Sequence, residues 1–297
     1  MSVCNLCPRE CGVDRSVSLG VCASPSKIRI AKYMLHKWEE PCISGTQGSG
    51  AIFFSGCSLR CVYCQNKDIS HGGIGYEVSE DGLGEIMLEL QAQGAHNINL
   101  VTPTHYSDAI RRVLDKYRDR IKIPIVYNTS GYEKSEVISP LKDYVDIFLC
   151  DIKYHSPDLS AKYSGARDYY EVARGALCEM VRQQGECVFD EQGIMRRGVI
   201  LRHLVLPSHR LDSIKILEDV AKNVDISKIK LSLMSQYTPD FYEGEERALK
   251  RRITTFEYQS VTEVALSLGY DGYIQDRESA TKVYTPDFSG KRRKNED

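Results

Sequence analysis

Eight residues carry the densest chemistry in this chain: Cys57-Ser58-Leu59-Arg60-Cys61-Val62-Tyr63-Cys64, a C-x3-C-x2-C run behind the apolar stretch Ala51-Ile52-Phe53-Phe54 and the turn Ser55-Gly56. Three thiolates at this spacing on one loop can bind three irons of a 4Fe–4S cluster, because such clusters are held by cysteine sulfur at short, fixed spacings. A cubane has four irons, so one iron is left for a small-molecule ligand. Two other uses of these cysteines fit less well. Disulfides require an oxidising compartment, and structural zinc normally takes four ligands in two pairs.

In this pattern the chain resembles the radical S-adenosylmethionine (SAM) enzymes, and the aromatic Tyr63 before the third cysteine also fits. The resemblance implies that Cys57, Cys61 and Cys64 ligate the cluster. It also implies that SAM takes the open iron through its amino and carboxylate groups and is cleaved by the reduced cluster to a 5′-deoxyadenosyl radical.

A second cysteine set, Cys4, Cys7, Cys11 and Cys22, reads C-x2-C-x3-C-x10-C among the turn residues Pro8, Gly12 and Gly20. Four soft ligands in a short loop-rich stretch match zinc or an auxiliary cluster. A reduced strap without metal is the plainer alternative, and spacing does not choose between zinc and iron. Cys150, Cys178 and Cys187 read as buried or incidental thiols. Between the two cysteine sets, Ile28 to Gly50 reads as a loop, with Gly45, Gly48 and Gly50 near its end and Pro41 disfavouring helix at Glu40. Its His36, Glu39 and Glu40 flank Trp38, the only tryptophan, and suggest a substrate pocket with an aromatic wall and carboxylates. A solvated acidic loop is the alternative.

The elements that position these groups follow from pattern. At 297 residues the chain fits one α/β barrel, and 42% hydrophobic residues suffice for a sizeable core. The 39 basic and 41 acidic residues leave a net charge of −2, which argues against bulk electrostatic binding of nucleic acid or anionic membrane. The first residues lack a signal peptide's cationic start and apolar core, and no apolar run is long enough to span a membrane. Eleven cysteines with no export signal point to reduced thiols and a cytoplasmic location.

From residue 51 short apolar runs alternate with amphipathic segments, the βαβα pattern of a parallel sheet covered by helices. Strands are expected near Ala51–Ser55, Ile98–Thr102, Ile125–Thr129, Ile147–Asp151, Val199–Leu206, Ile229–Leu233 and Tyr273–Gln275. Leu83, Ile86, Met87 and Leu90 form one apolar helical face, as do Val261, Val264, Ala265 and Leu268. Gly185 to Gly198 reads as an inserted hairpin, and residues 281–297 as a charged tail. The expected organisation is an N-terminal Cys-rich extension and loop over 1–50, a barrel over 51–280 and that tail.

In parallel α/β sheets ligands bind beyond the carboxyl ends of the strands. Here those ends carry Thr102, Thr104 and His105, then Asn128 and Ser130, Asp151 and Lys153, and Arg202 and His203. Asn, Thr and Ser can hydrogen-bond the amino acid part of SAM, and Asp151 can accept from ribose hydroxyls. Lys153 or Arg202 can pair with a carboxylate or phosphate.

The run Cys57 to Asn66 resembles the glycyl-radical-enzyme activases, such as pyruvate formate-lyase activating enzyme. The stretches Cys4–Gly12, His36–Gly45 and Arg202–Pro207 look like a less characterised activase-like branch. This resemblance implies a partial (β/α)6 barrel of the radical SAM type. It places Tyr63 against the adenine, and Asn66 falls in the resembling run. Asp151 and Lys153 match a D-x-K stretch near SAM. Activases carry Gly-Gly-Glu after the second strand, where this chain reads Thr102-Pro103-Thr104-His105, so hydroxyls, carbonyls or His105 must meet the SAM amino group. Members similar to this branch include queuine lyases, which imply a small-molecule reaction releasing queuine from queuosine 5′-phosphate. Under that reading Glu39, Glu40 and Asp151 meet the base and its amine, while Lys153, Arg202 and His203 meet the phosphate. An activase that installs a glycyl radical in a glycyl radical enzyme is the alternative. Both readings call for an electron donor such as flavodoxin or ferredoxin.

Overall fold

A computed structural model describes residues 3–71, 73–275, 286 and 288 of the chain. The expected tail, residues 281–297, lies outside the described residues apart from Pro286 and Phe288.

The chain enters the sheet through strand β1 (Arg29–His36) and returns through the short helix α1 (Pro41–Ser44) to β2 (Ser49–Phe54), which pairs antiparallel with β1. The loop expected over 28–50 therefore contains a strand and a helical turn. Pro41 is compatible with this, because proline is tolerated at a first helical position, and Glu40 before it is extended (φ −51°, ψ 146°). After the cysteine loop come α2 (Lys67–Ser70), β3 (Tyr76–Glu77) paired with β1, and α3 (Glu80–Ala92).

Six crossovers then follow. From β2 through α3 the chain reaches β4 (Ile98–Val101), and through α4 (Ser107–Tyr117) it reaches β5 (Ile125–Thr129). The short α5 (Ser135–Ile138) leads to β6 (Ile147–Asp151), and α6 (Pro157–Ser164) and α7 (Tyr169–Gln184) follow. The expected hairpin is β7 (Val188–Phe189) turning into β8 (Met195–Leu204). Helix α8 (Arg210–Asn223), β9 (Ile229–Met234), α9 (Thr255–Ser267) and β10 (Gly272–Ile274) complete the series.

The spatial order β10-β9-β8-β6-β5-β4-β2-β1-β3 runs with the sequence from β2 to β10, and every pair between them is parallel. Sequential order with crossovers of one hand places all connecting helices on the same face. Leu83 of α3, Ile110 of α4, Leu177 of α7, Ile216 of α8 and Val261 of α9 accordingly share one core. The result is a partial (β/α) barrel, not closed. Seven parallel strands agree with the expected ones to within a few residues.

The opposite face is filled differently. At the N-terminal ends of the strands, Cys42 and Ile43 of α1 pack against Val126, Ile147, Leu149, Met195 and Ile200. The Asn97 side chain donates to the Ile43 carbonyl at 2.8 Å and fixes this plug.

Helix α9 opens with a capping box, Thr254 with Glu257, and Glu257 also binds Ser208 N–H and Arg251. The Arg251 bond first, against the opposing effect of burial, holds the Glu257 carboxyl down from 4.5 to about 2. A depressed folded-state pKa contributes stability above the unfolded value that is lost as pH falls through the folded one. Glu257→Gln is expected to cost about 2 kcal/mol at pH 7, shrinking progressively between pH 4.5 and 2. Urea unfolding across that range measures it, and a pH-independent cost would contradict the assignment.

Candidate active site

The cysteine loop leaves β2 at the C-terminal edge of the sheet. Arg60 adopts φ +57°, a strained conformation for a side chain that ordered functional loops tolerate. Each cysteine sulfur has a hydrogen-bond donor: Leu59 N–H reaches Cys57 at 3.4 Å, Ser164 Oγ reaches Cys61 at 3.0 Å, and Ser70 Oγ reaches Cys64 at 3.4 Å. Burial first, then the neighbouring Cys61 sulfur, pushes the Cys57 thiol up and the Cys64 thiol up to about 12. These thiols stay protonated at neutral pH until a metal displaces the protons. Among the described residues no three His, Cys, Asp or Glu side chains converge on a single metal ion. A cubane spreads its thiolates over separate irons. Three cysteines on one loop, each with a donor on sulfur, therefore fit such a cluster.

The N-terminal strap is stitched to this loop. Arg9 donates to the carbonyls of Ser58 (2.7 Å), Ser164 (2.8 Å) and Gly165, joining the cysteine loop to the end of α6. Cys57 N–H donates to Cys22 O at 3.3 Å. Gly56 has φ +90°, and a Cβ there would collide with Ser24 and the Cys22 carbonyl, so only glycine lets the strap approach. Within the strap, Cys7 and Cys22 are buried and Cys4 and Cys11 half-buried. Burial first, then the Arg9 backbone bond acting oppositely, leaves the Cys7 thiol raised to about 11.

The sheet face opposite the helices carries a buried polar layer above the α1 plug. Glu39 reaches in from the β1–α1 turn, and its Oε1 accepts from Asn99 (3.1 Å) and Asn128 (3.3 Å). Arg202 on β8 is the hub: Nε donates to Asp151 Oδ1 at 2.7 Å, Nη1 to Glu39 Oε2 at 3.2 Å, and Nη2 to Asn128 Oδ1 at 2.6 Å. Lys153 Nζ closes on Asp151 Oδ2 at 2.6 Å. Burial works against Asp151 ionisation, yet Arg202 and Lys153 outweigh it and hold the carboxyl below its usual value. Burial also opposes the Lys153 charge, but Asp151 raises it to about 12. Burial raises Glu39 and Glu40 despite Arg202. Three acceptors or hydroxyls in or beside this layer have no protein partner: Glu40 Oε2, Asn99 Oδ1 and Ser130 Oγ.

Of the residues singled out from sequence, the fold thus gathers Glu39, Glu40, Asn128, Asp151, Lys153 and Arg202, with Ser130 at the end of β5. Others lie elsewhere. His203 faces away from Arg202, because neighbours on a strand point to opposite sides, and its Nδ1–H donates to Ile152 O at 2.6 Å. Thr104 donates to Glu133 at 2.6 Å. His105 is 2% exposed with Nε2 on the Ser55 carbonyl at 2.8 Å, and burial first, then Arg15, pushes it down to about 3. Thr102 has φ +59° and donates its N–H to Asn128 O. Asn66 precedes α2 as its N-cap residue. Tyr63 is buried with its Oη 2.6 Å from Tyr154 Oη, its ring edge-on to Tyr154, Tyr163 and Tyr237. Trp38, expected as an aromatic pocket wall, is 59% exposed.

Asn99 was missed as a site residue, although Asn97, just before β4, and Asn99 within it alternate with apolar residues and so mark the polar face. Ser70, Ser164 and Glu133 gave no signal, since their partners are distant in sequence. Glu133 is buried, its Oε1 accepting from Thr104 and Thr129 and its Oε2 unpartnered, and burial raises it to about 7.

Arg202→Met would leave Asp151 and Glu39 buried without their shared counter-charge. The expected cost is roughly 3–5 kcal/mol, read by chemical denaturation of the variant. A cost under 1 kcal/mol would show that the layer does not depend on this guanidinium.

Residues 51–185 match the family model of the Radical SAM superfamily. An uncharacterized protein of Methanocaldococcus jannaschii, MJ0674, is 29% identical over 282 residues, covering 90% of this chain and 77% of its own length. Among solved structures, Streptococcus suis SuiB bound to the precursor peptide SuiA aligns with a TM-score of 0.50 at 13% identity, over 75% of this chain and 48% of that one. This chain thus spans about half the length of SuiB, and the likeness is one of fold. Methylornithine synthase (PylB) aligns with a TM-score of 0.45 at 14% identity, over 71% and 58%. No described helix is long and apolar enough to cross a membrane. The family implies a 4Fe–4S cluster and SAM, and an enzyme that uses them. The segment 51–185, with the cysteine loop near its start, is thus similar to the radical SAM superfamily.

Proposed function

We propose that this chain is a radical SAM lyase acting on a small polar nucleotide, and that the reaction is release of queuine from queuosine 5′-phosphate. The observation that carries this reading is the buried polar layer on the sheet face opposite the helices. It combines carboxylates, two cations and unpartnered acceptors beneath the cysteine loop. When bound, a reduced cluster at Cys57, Cys61 and Cys64 with SAM supplies a 5′-deoxyadenosyl radical.

The residues of the layer bind and orient. Glu40 Oε2 and Asn99 Oδ1, free in the protein alone, accept N–H donors of a purine-like base. Lys153 and Arg202, poised on Asp151, are the cations for a phosphate. The α1 plug and the aromatic packing around Tyr63 keep water from the reacting face. Tyr63, Asn66, Thr102, Asn128 and Ser130 are proposed to line the SAM side. The strap cysteines Cys4, Cys7, Cys11 and Cys22 are proposed as a second metal site that assembles on metal binding. Flavodoxin or ferredoxin is the proposed electron donor.

A second reading, an activase for a glycyl radical enzyme, draws on one observation: the sheet is open, which leaves room for a protein loop at its edge. Anaerobic turnover of reconstituted protein with SAM, dithionite and queuosine 5′-phosphate separates the two. The lyase reading expects 5′-deoxyadenosine and queuine to rise together by mass spectrometry. Cys57→Ala, Cys61→Ala or Cys64→Ala should abolish both. Deoxyadenosine without queuine would discard this substrate and favour the activase.

A further inference from the structure

Four buried groups form a continuous hydrogen-bonded chain: Tyr63 Oη to Tyr154 Oη (2.6 Å), Tyr154 Oη to Ser164 Oγ (2.8 Å) and Ser164 Oγ to Cys61 Sγ (3.0 Å). All four residues are at most 7% exposed. The chain starts and ends within the same eight-residue loop and passes through β6's outgoing turn and the last residue of α6.

Its direction follows from proton counting. A hydroxyl carries one proton. A metal-bound thiolate only accepts, so Ser164 must spend its proton on Cys61. Ser164 can then only accept from Tyr154, and Tyr154 only from Tyr63. Every proton points towards the sulfur. Hydrogen bonds in such chains polarise one another in a low-dielectric interior, so the terminal bond to Cys61 is stronger than an isolated serine would make. Cys64 has a separate hydroxyl donor, Ser70, at 3.4 Å. Arg9 holds the Ser164 and Gly165 carbonyls together with that of Ser58, so the strap fixes donor and acceptor segments against each other.

We infer that Ser164, oriented by Tyr154 and Tyr63, is a positioning residue that sets the reduction potential of a cluster held by Cys57, Cys61 and Cys64, with Ser70 acting likewise on Cys64. The inference rests on the proposed cluster. Donors to a cluster's cysteine sulfurs favour the reduced, more negative state and so raise the potential. It also accounts for a tyrosine at position 63, since a phenylalanine would pack there but could not start the chain.

The test is an EPR-monitored redox titration of the full-length reconstituted chain. Ser164→Ala is expected to shift the oxidised-to-reduced ratio about tenfold, about 59 mV for one electron, towards a more negative potential. Tyr154→Phe touches no sulfur and keeps the ring, yet should shift the potential in the same direction by less. Ser70→Ala should also lower it, and Ser164→Thr, which keeps the hydroxyl, should restore the wild-type value. If Ser164→Ala fails to load iron, Tyr154→Phe and Ser70→Ala decide. Variants with full iron content that titrate at the wild-type potential would overturn the inference while leaving the cluster reading intact. A wild-type chain that binds no cluster would remove that reading and the inference with it.

Discussion

A parallel sheet wound in sequential order receives helices on one face only, and its other face must be filled from elsewhere. This constraint organises the molecule. The helices α3, α4, α7, α8 and α9 share one apolar core. At the strand N-termini the opposite face is closed by a four-residue helix between two antiparallel strands, with Cys42 and Ile43 as its apolar contribution. Above that plug the remaining surface is polar, and its charges are compensated internally by Arg202 and Lys153.

Compensation of this kind has a direction. Arg202 meets carboxylates from two segments far apart in sequence, Glu39 and Asp151, and so ties the plug to the middle of the sheet. Buried ion pairs seldom add net stability over apolar packing, because desolvation offsets their attraction. The layer is the surface proposed above to meet the substrate. Its unpartnered atoms, Glu40 Oε2 and Asn99 Oδ1, are the groups a folded core would otherwise have satisfied.

The cysteine loop depends on a different support. Its backbone is held by Arg9 and by the Cys22 carbonyl, both from the strap, and two of its sulfurs face serines from α2 and α6. The strap is therefore not an appendage that happens to carry cysteines. It positions the loop whatever its own cysteines bind. Arg15 extends the same attachment, donating to the His105 carbonyl at 2.5 Å while its guanidinium lies over Tyr106.

The sequence by itself determined the groups whose meaning is local. Three cysteines in one octapeptide share one loop however the rest of the chain folds, because their separation is local. Seven parallel strands were legible because each is a short apolar run bounded by turns, and Pro41 marked the break before α1. Strand β1 was not, since its half-buried residues Arg29, Lys32 and Tyr33 do not read as an apolar run. The tertiary structure decided which polar strand ends meet. Arg202 and His203 looked equivalent, but alternation along β8 sends one into the polar layer and the other to the Ile152 carbonyl. His105 sat at the expected strand end, yet the turn after β4 carries it to Ser55 and the strap. Ser164 lies 103 residues from Cys61, and only packing of α6 against the cysteine loop makes its hydroxyl a donor to that sulfur. Contacts across such separations follow from how elements pack, and no local pattern in the sequence records them.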